Sequence, residues 1–174
     1  MSAFDIFLAF VFAHEGSRLD LTPSDRGNWT GGRVGAGLLR GSRRGISAAA
    51  YPTLDIAGLT DGQIAAIYRV DYWRRIAGDD LPPPVALVVG DGAVNQGVGA
   101  ASRDLQDAVG VPADGVVGPV TVAAVRRKGN QLDDLAVELV ARRAVRYARA
   151  DTFPIFGLGW SRRLAAAARA AFRA

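Results

Sequence analysis

A glutamate at position 15 ends an almost wholly apolar run, Phe4 to Ala13, and is followed at once by Gly16 and a loop rich in glycine and arginine. A carboxyl group placed there sits at the C-terminal end of a buried helix, where unpaired carbonyls carry partial negative charge and apolar neighbours disfavour ionisation. Both effects favour the protonated form, the state a general acid needs in order to give its proton to a leaving oxygen. Hydrolysis of a glycosidic bond ordinarily takes a second carboxylate, acting as base or nucleophile. The glycine-rich stretch holds two candidates, Asp20 and Asp25, and the turn Pro23-Ser24-Asp25-Arg26-Gly27 favours Asp25. That turn is also reason enough for an aspartate that does no chemistry, because aspartate caps turns on its own account. The spacing of the two carboxyl groups sets the stereochemistry, about 5 Å for retention and about 6.5 to 9.5 Å for inversion.

Helical periodicity and capping residues frame this loop. A first helix is predicted from about Ala3 to Glu15, with Ser2 as N-cap and Gly16 as its stop. From Ser17 to Ser47 the glycines are dense and no helical period exists, so the segment reads as a loop with short strands, and loops of this length are usually functional. Thr60 and Gln63 form a capping box for a helix running to Ile76, with Ile64, Ile67, Tyr68 and Tyr72 along one face and Gly78 as the end. Pro82, Pro83 and Pro84 then punctuate the chain, and Val85 to Val98 reads as a largely buried helix. Further helices are predicted near Ala100–Val109, after Pro119, near Leu132–Ala150 and near Ser161–Phe172, with a turn over Val111–Gly118. The fold class is mainly α with a small β or loop element (α+β), in two lobes packed as one unit, residues 1–79 and 80–174.

At 174 residues and 49% hydrophobic the chain can build its own core. It has no cysteine and one histidine, His14, which disfavours a disulfide framework or a zinc site, and no cofactor or metal is expected. His14 points about 100° away from Glu15 on a helix and reads as a packing residue rather than a relay. The apolar run at the N-terminus is too short to span a bilayer and lacks a basic leader, so the expected location is the cytoplasm. Net charge is +4, and from Val140 onward eight arginines face a single acid, Asp151. Such a surface suits an anionic partner, whether nucleic acid, a membrane face or the bacterial wall, and equally a merely solvated helix face.

Three sets of residues in order resemble a known family. His14-Glu15-Gly16, then Asp25-Arg26-Gly27-Asn28-Trp29-Thr30-Gly31-Gly32, then Gly41-Ser42-Arg43-Arg44-Gly45-Ile46-Ser47 are similar to the N-terminal signature of glycoside hydrolase family 108, lysozyme-like N-acetylmuramidases of phages and phage-derived elements. Ile67-Tyr68-Arg69 with Asp71-Tyr72-Trp73, and Asp91 to Gly97, resemble its next blocks. Leu105 to Gly110 with Asp114 to Thr121 resembles the peptidoglycan-binding segment usually joined to it. The chain departs from that pattern at Ser17, Ser42 and Arg44, where the family commonly has glycine, threonine and an aromatic residue.

The resemblance implies a lysozyme-like fold, cleavage between N-acetylmuramic acid and N-acetylglucosamine, Glu15 as catalytic acid, and Asp25 and Thr30 as its partners in the small β lobe. Trp29, Ser42, Tyr72, Asn95 and Gln96 are the candidates for holding sugar. Asn95 and Gln96 serve equally well as ties within the protein, since a buried amide needs partners wherever it lies. A phage-type lytic enzyme made without an export signal would act as a monomer on peptidoglycan, would need a holin-type membrane partner to leave the cytoplasm, and would have no specific nucleic-acid partner. The rival readings are a lytic transglycosylase using the same glutamate without water, and a wall-binding or nucleic-acid-binding module with no activity.

Overall fold

In a computed structural model describing residues 1–174, the chain forms seven α-helices and one two-stranded sheet. In order these are α1 (Ala3–His14), β1 (Ser42–Arg43), β2 (Ile46–Ser47), α2 (Asp61–Tyr68), α3 (Pro83–Gln96), α4 (Val98–Val109), α5 (Pro119–Arg126), α6 (Leu132–Ala148) and α7 (Phe153–Ala171). This is the mainly helical, lysozyme-like class with a small β element that the sequence suggested. Contacts group the chain into two units, Met1–Phe10 with Tyr68–Ala174, and Val11–Ile67. The boundary expected near residue 80 therefore lies inside the first of these, just ahead of α3.

The first unit is organised about α3, whose residues Val85 to Ala93 are all buried against α4, α6 and α7. A helix apolar on every side must be surrounded, and Gly90 lets it be approached closely: a Cβ there would lie 2.8 Å from the Phe7 ring. Phe7 stacks on Trp73 at 5.1 Å between centroids, and Phe4 meets the same indole edge-on at 5.6 Å. The one charge inside α3, Asp91, is fully buried and answered by two arginines: Arg143 of α6 at 2.8 Å and Arg163 of α7 at 2.8 Å.

The Leu105–Thr121 motif builds a turn. The buried Gln106 amide donates to the Asp114 carboxylate (2.7 Å) and the Val116 carbonyl (3.0 Å), while its oxygen accepts the Gly115 N–H (2.8 Å). Gly115 sits at φ +83°, a conformation that a side chain would strain.

Several boundaries differ from expectation. α7 begins at Phe153, eight residues before Ser161, because Pro154 falls in the first turn, where its missing N–H costs nothing, and Gly157 makes room for the Phe153 ring instead of breaking the helix. The helix capped by Thr60 continues to Ile76 but changes type, through a π turn at Arg69–Trp73 and a 3₁₀ turn at Arg74–Ile76. It ends with Ala77, not Gly78, in the left-handed conformation (φ 50°). Gly78 is required for space, since a Cβ there would collide with the Trp73 indole. α1 stops at His14, which is exposed rather than packed.

Three exposed aspartates are held below their ordinary value of 3.8: Asp20 by the Thr22 hydroxyl and then its N–H, Asp114 by the Gln106 amide and then the Val116 N–H, Asp5 by the N–H and then the hydroxyl of Ser2. A depressed carboxylate stabilises the fold at pH values above its unfolded pKa and loses that contribution as pH falls through the folded one. The thermal midpoint should therefore be level above pH 3.8 as far as these groups are concerned and fall below it. Asp20→Asn with Asp114→Asn should flatten that acid limb in thermal melts, and an unchanged limb would refute these groups as its source.

Candidate active site

Glu15 is the first residue beyond α1, half-buried, with its N–H still bonded to the Val11 carbonyl at 2.9 Å. That bond makes the glutamate an extension of the last helical turn, so its direction is inherited from α1. The β1–β2 hairpin clasps the chain on either side of it. Arg44 and Gly45 both take positive φ (46° and 76°), the backbone of a type I′ turn, and pair Ser42 with Ser47 and Arg43 with Ile46. From this tip the Arg44 N–H reaches the Gly16 carbonyl (2.9 Å), and the Arg43 guanidinium reaches the carbonyls of Ser17 (3.2 Å) and Leu59 (2.6 Å). The Arg44 guanidinium lies 4.3 Å from the centre of the Phe12 ring and grips Asp61 through two bonds of 3.0 and 3.1 Å. Arg44, which stands where the resembled family has an aromatic, thus lies over an aromatic ring and adds a fork that holds α2.

The glycine-rich loop folds back on itself within the same unit. Asp20 bridges to Ser42 through paired backbone bonds of 2.8 and 2.9 Å, with Gly41 (φ 80°) allowing the close approach. Trp29 bridges to Leu39 and spends its indole N–H on the Pro23 carbonyl (2.8 Å), which leaves the ring faces for contact. Thr30 donates its backbone N–H to the Leu38 carbonyl (3.0 Å), and its Oγ1 accepts the Leu38 N–H at 2.9 Å, so the hydroxyl hydrogen stays available to donate elsewhere.

The two aspartates are committed differently. Asp20 is engaged by Thr22 and Asn28 inside the loop, whereas Asp25, exposed, caps a 3₁₀ turn (Arg26–Asn28) by accepting the Gly27 N–H on one oxygen at 2.8 Å. Glu15, Asp25, Trp29, Thr30 and Ser42 all belong to the Val11–Ile67 unit, and Ser42 joins the hairpin to the Glu15 segment through its bridge to Asp20. A groove of about 560 Å³ on this unit, with Leu19, Leu21, Leu39, Arg40 and Asp55 in its walls, is lined by none of the three candidate catalytic residues.

Tyr72, Asn95 and Gln96 belong to the other unit. Asn95 is exposed and donates to the Asp91 carbonyl (2.9 Å) and carboxylate (3.2 Å), which makes it in part a tie to the buried ion cluster. Gln96 ends α3 with both amide atoms buried and without a hydrogen-bond partner. Tyr72 is half-buried, its ring 5.3 Å from that of Tyr68. Sequence reasoning passed over Arg43 and Asp61, which position the glutamate's neighbours. Their partners lie 16 to 26 residues away, at separations that no local pattern encodes.

The chain matches the family model described as Glycosyl hydrolase 108 over residues 8–97, just over half its length. The match ends ahead of the Leu105–Thr121 turn. Among solved structures it is similar to SagA of Brucella abortus, with a TM-score of 0.80 and 32% identity over 98% of this chain and 94% of that one. No curated protein matches it by sequence.

Proposed function

The chain belongs to glycosyl hydrolase family 108 and is a glycoside hydrolase, a membership that supports peptidoglycan as its substrate; we propose that it cleaves the glycan strand between N-acetylmuramic acid and N-acetylglucosamine and so weakens the bacterial wall. In this reading Glu15 protonates the glycosidic oxygen. Asp25, with one carboxylate oxygen not used by its turn, stabilises positive charge on the sugar or orients the attacking water, and the Thr30 hydroxyl helps to place that water. The Trp29 ring, its N–H already bonded, offers a stacking face and Ser42 a hydroxyl for sugar groups on the unit that carries Glu15, while on the other unit Tyr72, Asn95 and Gln96 are the candidates for holding sugar. The unpartnered Gln96 amide is the best supported of these, because a buried amide with no bond gains most from a ligand that provides one.

The observation that carries the reading is the placement of Glu15: the one carboxyl group at the exit of α1, held on both sides by the Arg43–Arg44 hairpin, inside the stretch that matches the family. Mass spectrometry of the fragments released from purified sacculi is the test. Reducing-end N-acetylmuramic acid is expected. Reducing-end N-acetylglucosamine would transfer the cut to the other bond of the strand, and anhydro-muramic ends would replace hydrolysis by a transglycosylase reaction.

A further inference from the structure

Four of the eight arginines beyond Val140 are consumed by the fold: Arg142 pairs with Glu138, Arg143 and Arg163 with Asp91, and Arg146 with Asp104. Arg149, Arg162, Arg169 and Arg173 are exposed and make no ion pair. Beside them, the first two turns of α7 expose large apolar groups, with Ile155, Phe156 and Leu158 at 74%, 53% and 67%. At about 100° per residue, Ile155, Leu158, Arg162 and Arg169 fall within about 60° of one another, opposite the buried Leu164 and Ala167. α7 thus carries an outward stripe that is apolar at its start and cationic after it, with no acid anywhere on the helix.

We propose that this stripe docks the protein on an anionic lipid surface, with Ile155 and Leu158 entering the acyl boundary and Arg162 and Arg169 engaging lipid phosphates. Arg162 follows Leu158 by about 6 Å along the helix axis on the same face, so both can meet one surface, and interfacial helices bury their apolar face by only about 5 to 10 Å. Long arginine side chains reach back to the headgroups from such a depth. A second copy of the chain is the wrong occupant, because self-pairing through this face would bring one row of uncompensated arginines against another. Docking here is peripheral, as no helix is long and apolar enough to cross a membrane. The inference is independent of Glu15 and of the bond cleaved.

Co-sedimentation of the full chain with phosphatidylcholine vesicles, with and without phosphatidylglycerol, tests it. Binding is expected only to the anionic vesicles, weakening as salt is raised. Arg162→Ala with Arg169→Ala should reduce partitioning about fivefold for each arginine removed. Ile155→Ser with Leu158→Ser should reduce it by at least about tenfold while the helical circular dichroism is kept, because both side chains are exposed. No binding to anionic vesicles, or binding indifferent to the serine substitutions, would overturn the proposal. So would a dimer in sedimentation equilibrium that those substitutions dissolve, since the face would then belong to an interface between copies.

Discussion

Glu15→Gln is expected to lower turnover on purified peptidoglycan about a hundred- to ten-thousandfold, the usual worth of a positioned general acid. Glutamine keeps the shape and hydrogen-bonding capacity of the side chain while removing the transferable proton, so the loss should appear in kcat with little change in apparent affinity. The fold should change little: residue 15 lies half-buried beyond the last turn of α1, its N–H is bonded to the Val11 carbonyl, and the carbonyls of Gly16 and Ser17 that follow it are held by the arginines of the hairpin. A turbidity assay on sacculi together with a thermal melt checks both halves. Undiminished clearing by the variant would remove Glu15 from the reaction.

Asp91→Asn should be the most damaging single change to stability, by about 3 to 5 kcal/mol, with a fall in Tm on the order of 10 °C. The carboxylate is fully buried and is the counter-ion of Arg143, itself only 3% exposed, and of Arg163. Neutralising it leaves two guanidinium groups facing each other across α3, α6 and α7 with no anion between them. Adding Arg143→Met should restore part of the loss, because a buried charge that has no partner costs more than an apolar group of similar size in its place. Chemical denaturation of the two variants measures this. A Tm unchanged by Asp91→Asn would mean that water reaches the cluster.

The same cluster shows what was and was not legible in the sequence. Val85 to Val98 was legible as a buried helix and the arginines beyond Val140 as a basic surface, yet half of those arginines turn inward or pair within the fold, two of them on Asp91. The partners lie 52 and 72 residues from Asp91, so no periodicity links them. The start of α7 was misread for a related reason. Pro154, Gly157 and Gly159 are breakers by local propensity, but proline is harmless in a first turn and Gly157 packs under Phe153.

Features governed by neighbours along the chain could be read directly. The N-cap at Ser2, the capping box at Thr60, the buried α3, the Asp114 turn and the apolar run that delivers Glu15 to a helix end all depend on residues within one or two turns of each other. The family signature was legible for the same reason, its motifs being short and collinear, and it ran through Gly97, where the family match ends. Only the folded chain decided which charges are spent and which remain. It bound Arg43 and Arg44 to the segment around Glu15, engaged Asp20 within its own loop while leaving one oxygen of Asp25 uncommitted, left the Gln96 amide unpaired, and exposed Arg162 and Arg169 beside Ile155 and Leu158. Burial and pairing are properties of groups brought together from distant positions, and the free energy that selects those pairs is released only when the whole core closes.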